Sequence, residues 1–321
     1  MRAATTSSAN LDTVGLDIGD GLMTAARVSL QKDGGLCLTQ AGWEEYDPGA
    51  SDRQMAKAIR RLWRRHAFSN YTVSSCLRTP SLNLKHFRYP RLPSAELAAA
   101  LRLEAEEALQ IPQDKIALDW HSVETSAASQ DPSAERAEGT EGILVAAPRS
   151  EVDRHVELLR LAGLYPAVLD VGTFALGNIL AALHGLPQRG EALCVAHLGR
   201  RMADLAILYE GGFIYPRLVS SRSADWERDP AQIAGHIQDM LKYSQFKLRH
   251  DPVKRLLLSG AALKTSGLSE AIAQSTGLAC EIWNPLQRMK LSFRAGRALA
   301  GERDTRGPAL ATCLGLALRS V

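Results

Sequence analysis

The chain has 321 residues, 45% hydrophobic and 23% charged, the balance of a globular protein long enough for two domains of roughly 100–200 residues each. Its 38 basic against 35 acidic side chains leave a formal charge of +3, too weak a bias to call for a nucleic-acid partner. Cys37, Cys76, Cys194, Cys280 and Cys313 stand singly, with no CxxC pair. That spacing argues against a disulfide framework or a zinc site and suits a reducing compartment.

Residues 1–10 are small and polar, without the apolar core of a signal peptide, and are expected to form a flexible tail. The longest apolar stretches, Phe174 to Leu183 and Ala309 to Leu318, fall short of the roughly 18–20 residues that a membrane helix needs. A hairpin is expected from Val14 to Leu30, and a third strand from Leu36 to Ala41. Arg53 to Phe68 reads as a helix with Met55, Ile59, Leu62 and His66 on one face and Arg60, Arg61, Arg64 and Arg65 mostly off it. Those arginines invite a nucleic-acid or anionic-lipid reading, but no second basic cluster in the sequence reinforces them, so a solvated outer face is favoured, with proximity to a membrane left open.

Ser94 is expected to cap a helix from Ala95 to Leu109 that stops before Pro112. Ile116 to Val123 is a strand, Ser126 to Gly142 a long exposed loop, and Ile143 to Ala147 a buried strand. Ser150 and Asp153 open a helix that Gly163 closes. A strand over Pro166 to Val171 and a helix through Phe174 to Leu183 follow, then a second hairpin on either side of residues 199–201. Helices are expected over Pro230 to Lys247, Glu270 to Thr276 and Ala309 to Arg319, with a strand at Arg255 to Leu258. Strands alternating with helices, without one long parallel series, indicate an α/β protein of two similar lobes.

The two hairpins look like copies of one device, 180 positions apart (Asp17 and His197). Leu16-Asp17-Ile18-Gly19-Asp20-Gly21 interrupts one pair of apolar runs, and Ala196-His197-Leu198-Gly199-Arg200-Arg201 interrupts the other. The first aspartate is intact; histidine stands in place of the second. Read from the residues alone, Asp17 and the glycines need only preserve tight turns.

Taken together the segments resemble the PilM family of type IV pilus assembly. The resemblance runs from Val14 to Arg319. Its blocks are Val14 to Gly19, Leu103-Glu104-Ala105 through Ile111-Pro112 to Leu118-Asp119-Trp120, and Val145-Ala146-Ala147 with Ala162 to Pro166 and Leu169-Asp170-Val171. Leu258-Ser259-Gly260, Trp283 to Leu286 and Gly315 to Arg319 complete it. It implies an actin-like ATPase fold of two duplicated lobes, the first at residues 11–190 with a subdomain inserted at about 31–146. The second would be residues 191–321, helical at about 226–254.

The same resemblance implies an ATP cleft in which the two hairpin turns cradle phosphates. Asp17, Gly19, Asp20 and Gly21 would form the first turn, with Asp17 holding magnesium through its water shell. His197, Gly199, Arg200 and Arg201 would form the second, and Ser259, Gly260 and Ala261 would face the adenosine. Asp20 stands where the family commonly has serine, and Thr24 where relatives commonly carry lysine. A carboxylate within about 4 Å of a phosphate oxygen costs on the order of 4 kcal/mol at an effective dielectric of 20. Neutral imidazole at His197 is a poor ligand for hard Mg²⁺. The expectation is a degenerate cleft, without catalytic residues or hydrolysis, in which Mg-ATP binds weakly if at all.

The partner implied is the short cytoplasmic tail of a PilN-like inner-membrane protein. A cytoplasmic adaptor would reach the membrane only through it. An ATP-dependent kinase of the same superfamily is the enzymatic alternative, and the cytoplasmic part of a GspL-like type II secretion protein the structural one. An FtsA-like filament would end in an amphipathic helix bulkier than Ala309 to Arg319.

Overall fold

The computed structural model describes residues 13–68, 72–125, 139–185, 187–188, 191–209, 213–221, 225–226, 228–248, 252–264 and 267–319. The expected tail at 1–10 and residues 126–138 of the expected loop lie outside these. Two compact units are present: a small one, Thr79–His155, and a large one made from the chain before Thr79 and after His155.

The large unit begins with β1 (Thr13–Ile18), β2 (Leu22–Leu30), β3 (Leu36–Glu45), α1 (Asp52–His66) and β4 (Thr72–Leu77). The small unit contains β5 (Asn83–Pro90), α2 (Ser94–Leu109), β6 (Ile116–Thr125) and β7 (Gly139–Pro148). Helix α3 (Arg149–Leu161) carries the chain back into the large unit, where β8 (Pro166–Val171), α4 (Gly172–His184), β9 (Ala192–Leu198), β10 (Met202–Tyr209) and β11 (Phe213–Ser220) follow. Then come α5 (Pro230–Leu248), β12 (Arg255–Ser259), α6 (Leu268–Thr276), β13 (Ala279–Ile282), β14 (Lys290–Leu291), α7 (Phe293–Ala298), α8 (Arg303–Arg306) and α9 (Ala311–Ala317).

The duplication anticipated from the hairpins extends to whole sheets. One sheet of the large unit has the order β14-β3-β2-β1-β4-β8, and the other β11-β10-β9-β12-β13. Leaving β14 aside, the orders superimpose term by term. In each, three antiparallel strands are followed by two parallel ones.

Every residue of β1 is buried, as expected of a central strand covered on both faces. Leu16 and Met23 on one face of the first sheet meet Ile59 and Leu62 of α1 and Leu158 and Leu159 of α3. On the other face, Val28 and Leu38 share a cluster with Leu176 and Leu180 of α4, Leu314 of α9, and Val195 and Leu257 of the second sheet. Helices α4 and α9 are therefore buried between the two sheets. Full burial of each such leucine contributes roughly 1.5–3 kcal/mol. The far face of the second sheet packs Leu205 and Ile207 on Ile233, Ile237 and Ile272 of α5 and α6.

In the small unit, β7 lies between β5 and β6, and Leu97, Leu101 and Ala105 of α2 cover Phe87, Leu144 and Ala146.

Four expectations need correction. The first sheet takes in β3 and β4, so the anticipated insertion at 31–146 narrows to Thr79–His155. Residues 139–142 are not loop but the start of β7, held by ladders to β5 and β6. Ser94 is the first helical residue of α2, with Pro93 at the cap. The expected C-terminal helix opens as a 3₁₀ turn at Gly307–Leu310, where Pro308 removes a backbone donor, and becomes α-helical only at Ala311. The second lobe's anticipated helical part is α5, Pro230–Leu248.

Candidate functional site

The two glycine turns close in the same way. Gly19 N–H donates to Leu22 O at 3.0 Å, and Gly199 N–H to Met202 O at 2.9 Å. A Cβ would lie 3.1 Å from the oxygen in the first turn and 2.9 Å in the second, so bulk at either glycine would press on its own turn. Gly21 sits at φ +88, and Tyr46 ties the first turn to the chain after β3, its hydroxyl donating to Gly19 O at 2.5 Å. Burial, with help from Asp20 and Asp17, pushes the Tyr46 phenol up to about 12, so it stays a donor at neutral pH.

In β-sheet register Asp17 stands opposite Thr24, and His197 opposite Asp204. Asp204 is thus the duplicate of Thr24, a carboxylate where the first lobe has a hydroxyl. Its oxygens lie against Gly172, the first residue of α4, where a Cβ would sit 2.7 Å from them. The positive end of that helix favours the charge.

Between the lobes' carboxylates lies Arg78, one residue beyond β4. Its Nε donates to Asp17 Oδ1 at 2.7 Å and its Nη2 to Asp17 Oδ2 at 3.1 Å. Nη2 is also 3.3 Å from Thr312 Oγ1, and Nη1 pairs with Asp204 Oδ2 at 2.5 Å. The side chain is 7% exposed. Burial pushes the Asp17 carboxyl up, but the charge of Arg78, the His197 ring and the paired hydrogen bonds overcome it, leaving Asp17 below the usual carboxylate range. Burial dominates at Asp204 and holds its carboxyl above that range despite Arg78. One guanidinium is shared unequally: Asp17 has the forked contact and keeps its charge more firmly.

His197 is 4% exposed, with Nδ1 3.0 Å from Ser259 Oγ. Burial and then Arg78 press its pKa down to about 4, against the opposing pull of Asp17. The ring is a neutral hydrogen-bonding partner of Ser259, which sits opposite it on β12.

The other candidates are placed as follows. Asp20 is half-buried at the first turn. Arg200 and Arg201 are exposed at the second, where Arg200 Nε pairs with Asp225 Oδ2 at 2.8 Å. Gly260 sits at φ +108, and a Cβ there would meet the backbone oxygen of Leu198 at 2.2 Å, so β9 passes close against it. Ala261 follows it into a 3₁₀ turn. The fold thus brings Asp17, His197 and Ser259 into one buried cluster and leaves both arginines of the second turn at the surface.

Sequence reasoning missed Arg78 and Asp204. A signal for each existed. Asp204 is the single charge inside the apolar run Met202 to Leu208, and Arg78 follows the buried strand Val73 to Leu77. A buried charge requires a partner, and the carboxyl ends of parallel strands are where α/β sheets build sites.

A family model described as "Type IV pilus assembly protein PilM" matches residues 15–220. Among solved structures, a chain of a PilM-PilN type IV pilus biogenesis complex is 23% identical over 97% of this chain and 99% of its own, with a TM-score of 0.78. A Bacteroides thetaiotaomicron protein described as having an actin-like ATPase fold and unknown function is 10% identical over 88% of this chain and 94% of its own, TM-score 0.48. The cytoplasmic domain of EpsL, from the type II secretion system of Vibrio cholerae, is 10% identical over 85% and 97%, TM-score 0.45.

Proposed function

The chain belongs to the PilM family of type IV pilus assembly proteins, and on that footing we propose that it is a cytoplasmic adaptor: it holds the tail of a PilN-like membrane protein and does not turn over ATP. Its fold is actin-like, and the similar solved chain comes from a PilM-PilN complex. Among the described residues no helix is long and apolar enough to cross a membrane; a PilN-like partner would supply the spanning anchor. The sheet of the small unit has β5 and β6 at its edges, and an extended tail adds to such an edge main chain to main chain.

The observation that carries the nucleotide half of the reading is Arg78 seated on Asp17. Magnesium held by Asp17 would need oxygens that both accept from the guanidinium. A neutral His197 adds no anionic oxygen for a hard cation. These residues do not fit a metal site built on Asp17. The same pairing argues against the kinase alternative, because Asp17 and Asp204 are both engaged by a cation rather than poised as a base.

Calorimetry of the purified chain with a synthetic PilN-like tail, with and without Mg-ATP, tests both halves. The expected result is tail binding that nucleotide leaves unchanged, with no phosphate release. A folded chain that binds no tail overturns the adaptor. Tight Mg-ATP binding or steady phosphate release overturns the inactive cleft.

A further inference from the structure

The arginines of α1 acquire in the fold the second basic cluster that the sequence lacks. Arg53, Lys57, Arg60, Arg61, Arg64 and Arg65 are exposed, spaced so that they line the outer side of the helix. Arg160, also exposed, precedes Leu161, whose carbonyl accepts from Arg60 Nη2. At the C-terminal end of α1, Arg294 Nη2 donates to His66 O at 2.8 Å, which brings α7 and Arg297 alongside. Glu44 offsets one of these charges, pairing with Arg61 at 2.6 Å.

Large apolar side chains accompany this basic face. Phe293 on α7 is 83% exposed with the Arg297 guanidinium over its ring, and Tyr165, just beyond α3, is 76% exposed. Between α1 and the end of α3 lies a concavity of about 570 Å³, lined by Arg60 and Arg64 together with Trp63, Phe68 and Leu164. Guanidinium groups over apolar walls make it amphipathic.

We propose that this face docks directly on an anionic phospholipid surface. Clusters of four to eight basic residues on an amphipathic helix are the pattern that acidic headgroups attract. Exposed aromatic rings beside such a cluster suit the headgroup boundary, where one side of a ring is wet and the other apolar. The chain's pI of 8.6 is below the strongly basic range, above about 9, of nucleic-acid-binding domains. Tail capture fixes the protein to one partner; the basic face adds an attraction set by lipid charge and needs no tail.

Sedimentation of the full chain with vesicles of phosphatidylcholine alone, or mixed with phosphatidylglycerol, reads this out. Binding is expected to the anionic vesicles alone and to weaken with added salt. The exposed-residue variant Arg60→Gln/Arg64→Gln/Arg65→Gln should partition about a hundredfold less, roughly fivefold for each charge removed. Phe293→Ser/Tyr165→Ser should weaken the binding that persists in high salt. Equal binding to both vesicle types, no binding, or unchanged binding by the arginine variant overturns the proposal. So does duplex DNA or an acidic peptide displacing the chain from anionic vesicles while neither the lipid charge nor the aromatic pair alters its partition. Circular dichroism and tail binding in lipid-free buffer show that each variant is folded, and they keep failure of this face distinct from failure of the adaptor.

Discussion

The guanidinium of Arg78 lies edge-on to the carboxylate of Asp17, with Nε 2.7 Å from Oδ1 and Nη2 3.1 Å from Oδ2. Both side chains are 7% exposed, and the same arginine reaches Asp204 of the second sheet. A cation supplied by the chain therefore ties the two halves of the duplication together. Removing one member of a buried ion pair costs about 3–5 kcal/mol, because the abandoned charge stays buried. Arg78→Met should lower unfolding free energy in urea by that amount. Adding Asp17→Asn and Asp204→Asn should recover most of the loss, since no buried carboxylate is then left unpaired. A triple variant no more stable than Arg78→Met would show that the arginine acts through packing alone.

His197 sets a pH dependence of definite sign. Its folded pKa, about 4, lies below the unfolded value of about 6.5. Above pH 6.5 the ring is neutral in both states and has no effect. Between 6.5 and 4 the unfolded chain takes up a proton that the folded chain refuses, so stability falls as pH falls, by up to about 3 kcal/mol. His197→Gln should flatten the curve in that window relative to the parent. Parallel curves from chemical denaturation would mean that the ring is not held neutral.

Much of this arrangement was legible because it is written twice. The pattern of apolar run, glycine turn and apolar run placed Asp17 and His197 on equivalent hairpins, and periodicity placed the buried face of α1. Arg78 escaped because its role depends on which strand lies beside β1, and parallel pairing of Leu16 with Ser75 leaves no local trace. Residues 139–142 read as loop because two glycines and a glutamate make a poor strand by composition. A central strand is held by partners on both sides, and Gly142 is required there: a Cβ would meet His121 O at 2.1 Å. Arg294 and Arg297 are more than 200 positions from α1 in the chain, so the basic face is a product of tertiary packing.

Two glycines should respond in opposite directions. At Gly315 in α9 a Cβ would lie 1.8 Å from Ala175 O, backbone of α4 that cannot yield. Gly315→Ala should destabilise by several kcal/mol or prevent folding. At Gly235, inside α5, a Cβ would meet nothing within 4 Å, so Gly235→Ala should gain about 1 kcal/mol from helix propensity. Thermal denaturation compares them directly, and equal shifts would contradict the buried position of α9.

Restoring the aspartate of the second turn should not restore an ATPase. In His197→Asp the new carboxylate would join Asp17 and Asp204 around a single guanidinium, and a third buried negative charge would bind Arg78 more firmly or take up a proton. Neither outcome frees the oxygens of Asp17 for magnesium. Phosphate release by this variant should therefore match a blank without protein. Removing the internal cation is the prior step, so if any combination acquires Mg-ATP affinity it should be His197→Asp with Arg78→Ala, judged by calorimetry with and without magnesium. Turnover by His197→Asp alone would show that the pairing of Arg78 with Asp17 opens readily in solution, and the inactive-cleft reading would fail with it.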